Sequence, residues 1–88
     1  MKIEVRYFAQ VREALGSGES LSWADDAADC PRTVGQLRAW LIARSPRHAE
    51  ALDLAIPLRA ACNQFMCHAD EVLPDGAEVA FFPPVTGG

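Results

Sequence analysis

Few residues of this 88-residue chain could take part in chemistry. Three are cysteines, Cys30, Cys62 and Cys67; two are histidines, His48 and His68; the last candidate is the closing run Pro83-Pro84-Val85-Thr86-Gly87-Gly88. The side chains assemble into little. Cys62, Cys67 and His68 make a Cys-x4-Cys-His run, which lacks the second ligand pair of a closed four-ligand zinc site, so no metal is expected. On alternating strand positions small cysteines are ordinarily buried packing residues. His48 falls in a polar helical turn and is expected to be exposed. No Ser-His-Asp set, Gly-rich phosphate loop or pair of acid–base carboxylates is expected from the spacing.

What remains is a main-chain group. A carboxylate on Gly88 is the candidate reagent, and Gly87 keeps its approach slim because glycine has no side chain to block another backbone. Pro83 and Pro84 lack a backbone N–H and bias the residues before them towards extended geometry, so they end a strand and stiffen its exit. Six extended residues reach at most ~20 Å. That is enough to carry a carboxylate out of its own domain and into a cleft on another protein, with Val85 and Thr86 gripping its walls. A frayed end is the plain alternative.

Elements able to position such a tail are legible from periodicity. Met1 to Phe8 alternates Ile3, Val5 and Tyr7 against Lys2, Glu4 and Arg6, a half-buried strand. Ala9 to Leu15 is a short helical turn stopped at Gly16. Glu19 to Trp23 alternates again and should pair antiparallel to the first strand. A polar loop, Ala24 to Arg32, leads to Thr33, whose N-cap with Gln36 completes a capping box. The main helix runs from Val34 to about Arg44, its apolar stripe formed by Val34, Leu37 and Leu41. Ser45-Pro46 opens a second helical turn, after which Leu52, Leu54 and Ile56 are expected to return to the core. Leu58 to Cys62 and Phe65 to His68 read as strands joined at Asn63-Gln64, where Asn tolerates left-handed geometry. An Asp75-Gly76 turn introduces the last strand, Ala77 to Phe82. The expected class is α+β, a mixed sheet of about five strands with one main helix, the last strand lying parallel to the first in the sheet centre. Residues 1–82 form this β-grasp domain and residues 83–88 a flexible Gly-Gly tail.

Several stretches now stand together: Tyr7-Phe8-Ala9-Gln10-Val11-Arg12-Glu13, the Asn63-Gln64 turn, and the run from Asp75 through Phe81-Phe82-Pro83-Pro84 to Gly88. With them the chain strongly resembles the small, sulfur-carrying subunits of molybdopterin synthases, a ubiquitin-like β-grasp family. The similarity covers the whole fold pattern, with its residue-level match at the two ends. The Ala24–Arg32 loop and the strand Phe65-Met66-Cys67-His68 depart from the family pattern.

The resemblance implies a carrier cycle. An E1-like adenylating enzyme would use ATP to convert the Gly88 carboxylate to an acyl-adenylate, and a persulfide donor would leave a Gly88 thiocarboxylate. The large synthase subunit would then receive the tail. There sulfur would pass to cyclic pyranopterin monophosphate to form the molybdopterin dithiolene, in a complex for which the family suggests two small and two large subunits. Catalytic side chains and phosphate binding are expected on the large subunit, so this chain is carrier and co-substrate and binds no cofactor itself. Phe81 and Phe82 point to opposite faces; one belongs in the core and the other, with Phe8, is expected in an apolar patch that meets the partner. A carrier or modifier serving another acceptor (thiamine thiazole, tRNA or protein lysines) and a non-catalytic β-grasp interaction module remain the alternatives.

Composition narrows the field. A net charge of −4 argues against nucleic acid, where Lys and Arg on phosphate supply most of the affinity. No apolar run approaches the ~20 residues that span a bilayer. The first residues show no basic region followed by an apolar block, so no export signal is expected and the cysteines read as reduced cytoplasmic thiols.

Overall fold

The computed structural model describes residues 1–84. Strict alternation forms the first element, β1 (Lys2–Tyr7), with Ile3, Val5 and Tyr7 each 1% exposed and the charged residues between them outside. A seven-residue helix, α1 (Ala9–Leu15), follows and stops where Gly16 takes φ +91°. The chain returns as β2 (Gly18–Ser22), antiparallel to β1 with Ile3 opposite Leu21 and Val5 opposite Glu19. Trp23, the expected strand end, lies one residue beyond β2, yet its N–H still bonds the Met1 carbonyl at 2.9 Å.

The helical layer is built as its caps dictate. Thr33 accepts the Gln36 N–H at 3.1 Å to start α2 (Val34–Ile42), which ends two residues earlier than its apolar stripe suggests. Ser45 caps α3 (Pro46–Leu52) by accepting the His48 N–H, with Pro46 in the first turn where its missing N–H is harmless. Arg38 of α2 then clamps the segment leaving α3. Its Nε donates to the Leu52 carbonyl and its Nη2 to those of Asp53 and Ile56, at 2.6–3.0 Å. Within that segment Leu52 is buried but Leu54 is 74% exposed and Ile56 only half-buried. The expected return of Leu54 to the core is therefore corrected: Arg38 fixes the backbone through its carbonyls and turns Leu54 outward.

Strands β3 (Arg59–Cys62) and β4 (Phe65–Cys67) form a hairpin on the tight turn at Asn63 (φ +50°) and Gln64 (φ +72°). An Asp75-Gly76 turn, with Gly76 at φ +82°, leads into β5 (Ala77–Phe82). The sheet order is β2-β1-β5-β3-β4, with β5 parallel to β1 and antiparallel to β3. One face carries Ile3, Val5, Tyr7, Leu21, Cys62, Val79 and Phe81 into a single core with Val11, Val34, Leu37, Leu41 and Leu52 of the helices. Among the described residues no helix is long and apolar enough to cross a membrane.

A polar cluster ties the hairpin to the helices. Glu19 accepts the Tyr7 hydroxyl at 2.7 Å, contacts His48 Nε2 at 2.6 Å and pairs with Arg44 at 2.7 Å, while His48 Nδ1 meets Ser45 Oγ at 2.7 Å. The His48 side chain is only 14% exposed, contrary to its expected solvent position, because Glu19 lies across from it on β2. No Ser-His-Asp set was expected, and the structure adds what spacing did not show: Ser45, His48 and Glu19 form a hydrogen-bonded chain. It is a structural one: Ser45 Oγ is already committed to capping α3. Burial alone would raise the Glu19 carboxyl, but the His48 and Tyr7 hydrogen bonds and the nearby Arg44 charge outweigh it and hold it below 4.5. Burial also pushes the Tyr7 hydroxyl up, so it stays a donor.

A group whose folded value is depressed stabilises the fold above its unfolded value and loses that contribution as pH falls through the folded one. Glu19→Gln is therefore expected to cost about 1–2 kcal/mol at pH 7. The gap to wild type should narrow as urea unfolding is repeated below about pH 4.5; a gap independent of pH would show that the Glu19 charge contributes nothing.

Candidate functional site

Strand β5 is paired with β1 over Ala77–Phe81 and with β3 over Val79–Phe82. Tyr7 pairs with Phe81 on one flank and Arg59 with Phe82 on the other. The Phe8 N–H extends the β1 ladder by one bond to the Phe81 carbonyl at 3.3 Å. Past Phe82 come Pro83 and Pro84, both half-buried, which offer no N–H to either neighbour. The root of the expected tail thus sits at the centre of the sheet and ends where prolines end the pairing. Gly88 with Gly87, Thr86 and Val85, the expected reagent and its lead, lie outside the described residues.

Alternation along β5 separates the two phenylalanines. Phe81 is 2% exposed and packs in the core. Of the two it is the core member, because the inward register that pairs it with Tyr7 places it under the helices. Phe82 is half-buried on the opposite face, and Phe8, one residue past Tyr7, is 47% exposed. Register extends this open face across four strands: Arg6 lies beside Ala80, Ala80 beside Ala61, and Ala61 beside Met66, which is 58% exposed. The result is an apolar band of Phe82, Ala80, Ala61 and Met66 with Phe8 at its end. It is bordered by the Arg6–Glu78 pair at 3.4 Å and the Ser20–Glu4 hydrogen bonds at 2.8 Å. Met66 was not singled out as a site residue; the hairpin register that pairs it with Ala61 is what puts it on the Phe82 face.

The cysteines add no reactive centre of their own. Burial pushes the Cys62 and Cys67 thiols up, and Glu71 adds to the rise at both; the reactive thiolate form is thereby disfavoured. Among the described residues no group of three or more His, Cys, Asp or Glu is placed to hold a metal ion.

The ThiS family matches residues 5–88, nearly the whole chain. This chain belongs to the ThiS family. Among its relatives, the molybdopterin synthase sulfur carrier subunit of Escherichia coli (strain K12) is 50% identical over 86 residues, covering 98% of this chain and 99% of that protein. The protein of the same name from Haemophilus influenzae is 36% identical over equal coverage. Solved structures agree on the β-grasp architecture. Haloferax volcanii small archaeal modifier protein 1 superimposes with a TM-score of 0.68 at 26% identity, covering 96% of this chain and 98% of that one. A chain in the complex of subunits 1 and 2 of molybdopterin-converting factor from Helicobacter pylori superimposes at 0.64, with 25% identity and full coverage of both. The ubiquitin-like fold of this ThiS-family chain is thus the one its sequence resemblance implies.

The two phenylalanines should separate experimentally. Phe81→Ala is expected to cost about 3–5 kcal/mol of stability by opening a core cavity. Phe82→Ala should cost no more than about 1 kcal/mol, as befits a surface-face residue. Equal losses in urea denaturation would contradict this division.

Proposed function

We propose that this chain is the sulfur carrier subunit of a molybdopterin synthase, with the Gly88 main-chain carboxylate as its reagent. The observation that carries the reading is the 50% identity, over 98% of the chain, to a protein of that name. A rigid central strand leading straight into Pro83 supports it from the structure.

The chemistry suits a main-chain terminus. A carboxylate is a poor electrophile because its charge repels nucleophiles and its leaving group would be oxide. An E1-like enzyme using ATP relieves both problems by forming the Gly88 acyl-adenylate. The terminal sulfur of a persulfide donor then displaces AMP to give an acyl disulfide, and a second thiol of the donor cleaves its S–S bond, leaving a disulfide on the donor and a thiocarboxylate on Gly88. Its sulfur is ionised near neutral pH and nucleophilic, on the same grounds that make a thiolate the reactive form of cysteine.

The large subunit receives the tail in the second stage, in the cytoplasm. There Gly87 passes a narrow channel, Val85 and Thr86 line its walls, and Pro83 and Pro84 lessen the entropy lost on threading. Sulfur passes to cyclic pyranopterin monophosphate to build half of the dithiolene, and hydrolysis restores the carboxylate. This chain supplies the reacting atom and its placement, while acid–base side chains and phosphate ligands belong to the partner. The open band of Phe82, Met66 and Phe8 is the surface against which the partner packs. A second reading, ligation of Gly88 to protein lysines, draws on the likeness to a small archaeal modifier protein.

Intact mass after incubation with the activating enzyme, ATP and a persulfide donor tests the first stage. The expected change is one oxygen replaced by one sulfur at the C-terminus, and its absence rules the carrier reading out. An alanine appended after Gly88 should abolish the change while leaving the melting temperature as it was. Conjugates to lysine in place of pterin sulfuration would favour the modifier reading.

Docking is separable from this chemistry. Phe82→Ala and Phe8→Ala should each weaken binding to the large subunit by about tenfold or more, as central aromatic anchors do. Unchanged affinity in calorimetry for both would remove the apolar band from the interface.

A further inference from the structure

The β3–β4 hairpin carries two of the three cysteines on one face. Cys62 pairs with Phe65 and Ala60 with Cys67, so Cys62 and Cys67 are diagonal neighbours across the hairpin. Ala60 shares the inward face of the buried Cys62, and Cys67 lies opposite Ala60, which puts both cysteines on the helix side of the sheet. Both line a single cavity of about 370 Å³, together with Glu71 and the apolar Phe65, Val72 and Pro74. Burial is the main reason that the Cys67 thiol is pushed up, but Cys62 acts on it as well, by charge and through its main chain, and Glu71 acts on both thiols. Cys30 stands apart: it lines other cavities, and its thiol reaches the Pro31 carbonyl at 3.7 Å.

Dimensions decide what such a pair can hold. A disulfide asks for Cα atoms about 4.4–6.8 Å apart, whereas diagonal neighbours in an antiparallel pair stand about 7–8 Å apart. A structural zinc ion takes four ligands, and among the described residues no group of three or more His, Cys, Asp or Glu is placed to hold a metal ion. An ion between two sulfurs reaches further than a direct bond. With metal–sulfur bonds of about 2.3 Å, the zinc–thiolate value, the sulfurs stand roughly twice that far apart, against about 2.0 Å in a disulfide. Thiolates select soft monovalent copper, whose filled d shell accepts two ligands in line. Charge points the same way. The thiolates are disfavoured by burial and by negative neighbours; a bound cation supplies the opposite charge, so sulfurs that are poor nucleophiles still serve as ligands.

We propose that Cys62 and Cys67 form a two-coordinate site for a monovalent copper ion, inside the hairpin cavity. On binding, the ion displaces one proton from each thiol: two S–H bonds break, two copper–sulfur bonds form, both protons pass to water, and no electron moves. The bridge staples β4, an edge strand of three residues, to β3. Its face is the one opposite Met66 and Ala61, and Cys62 lies beside Val79, three residues before Phe82. The site is thus separate from the open band and from the root of the tail, and it stands independently of the carrier reading.

Titration of the reduced chain with copper(I) in acetonitrile under argon, against a competing copper(I) chelator, tests it. Native mass should show one copper gained and two protons lost per monomeric chain. Cys30→Ser should bind as wild type does. Cys62→Ser and Cys67→Ser should each weaken binding by more than about a hundredfold, beyond what loss of an outer-shell partner costs. Cys62 is buried in the core, so Cys62→Ala and thermal melts of every metal-free variant guard against misfolding. Copper should also raise the melting temperature of wild type and of Cys30→Ser but not of Cys67→Ser. Unchanged affinity in the Cys62 or the Cys67 variants, copper held between two chains, or a Cys62–Cys67 disulfide formed in place of copper uptake overturns the proposal.

Discussion

The structure depends on β5 being hydrogen-bonded on both sides. A parallel ladder to β1 and an antiparallel ladder to β3 fix every residue from Ala77 to Val79 and on to Phe82 before the prolines interrupt pairing. Ordering a flexible segment against a partner costs entropy that subtracts from affinity. In the proposed carrier cycle, a tail that begins at this strand starts from a defined position and direction. An edge strand in the same role would leave its root free to fray. The proposed carrier role thus makes one demand on the β-grasp topology, a C-terminal strand in the middle of the sheet.

Holding that strand in place falls partly to polar groups rather than to the core. Small domains bury a modest share of their surface, and here the hairpin β1–β2 meets the helices through the carboxylate of Glu19 as well as through Leu21 and Tyr7. Arg38 does the equivalent work on the other side, using three carbonyls to set the path from α3 into β3. Both devices join segments distant in sequence, at separations of 14 to 29 residues for the Arg38–Leu52 and Glu19–His48 contacts. They position β1 and β3, and these two strands are what flank β5.

Local pattern made most of the fold readable in advance, and its limits are physical. Period-two alternation identified β1 and β5, while the Thr33 cap and Pro46 in a first helical turn marked the starts of α2 and α3, because each signal is contained within a few residues. The central, parallel placement of the last strand followed from chain economy. Leu54 went the wrong way because hydrophobicity alone does not reveal that Arg38 holds the neighbouring carbonyls. His48 appeared solvent-facing because its partner lies 29 residues away on β2. At the site, alternation separated Phe81 from Phe82 but could not say which faced the helices; the register against Tyr7 decides that. Met66 joined the open face only once the hairpin register with Ala61 was known.

Two faces at the end of one strand present different chemistry. The open face beside Phe82 carries Ala80, Ala61 and Met66, with Arg59 opposite Phe82 and the Arg6–Glu78 pair at its border, whereas Phe81 on the inward face packs in the core. An apolar band contributes affinity with little directional preference, since burial scales with area and not with orientation. Charged groups at fixed positions, such as the Arg6–Glu78 pair at its border, are what give such a band direction, because a mispaired charge is penalised. The alternation of a single strand, Phe81 inward and Phe82 outward, thus joins the core to this open face.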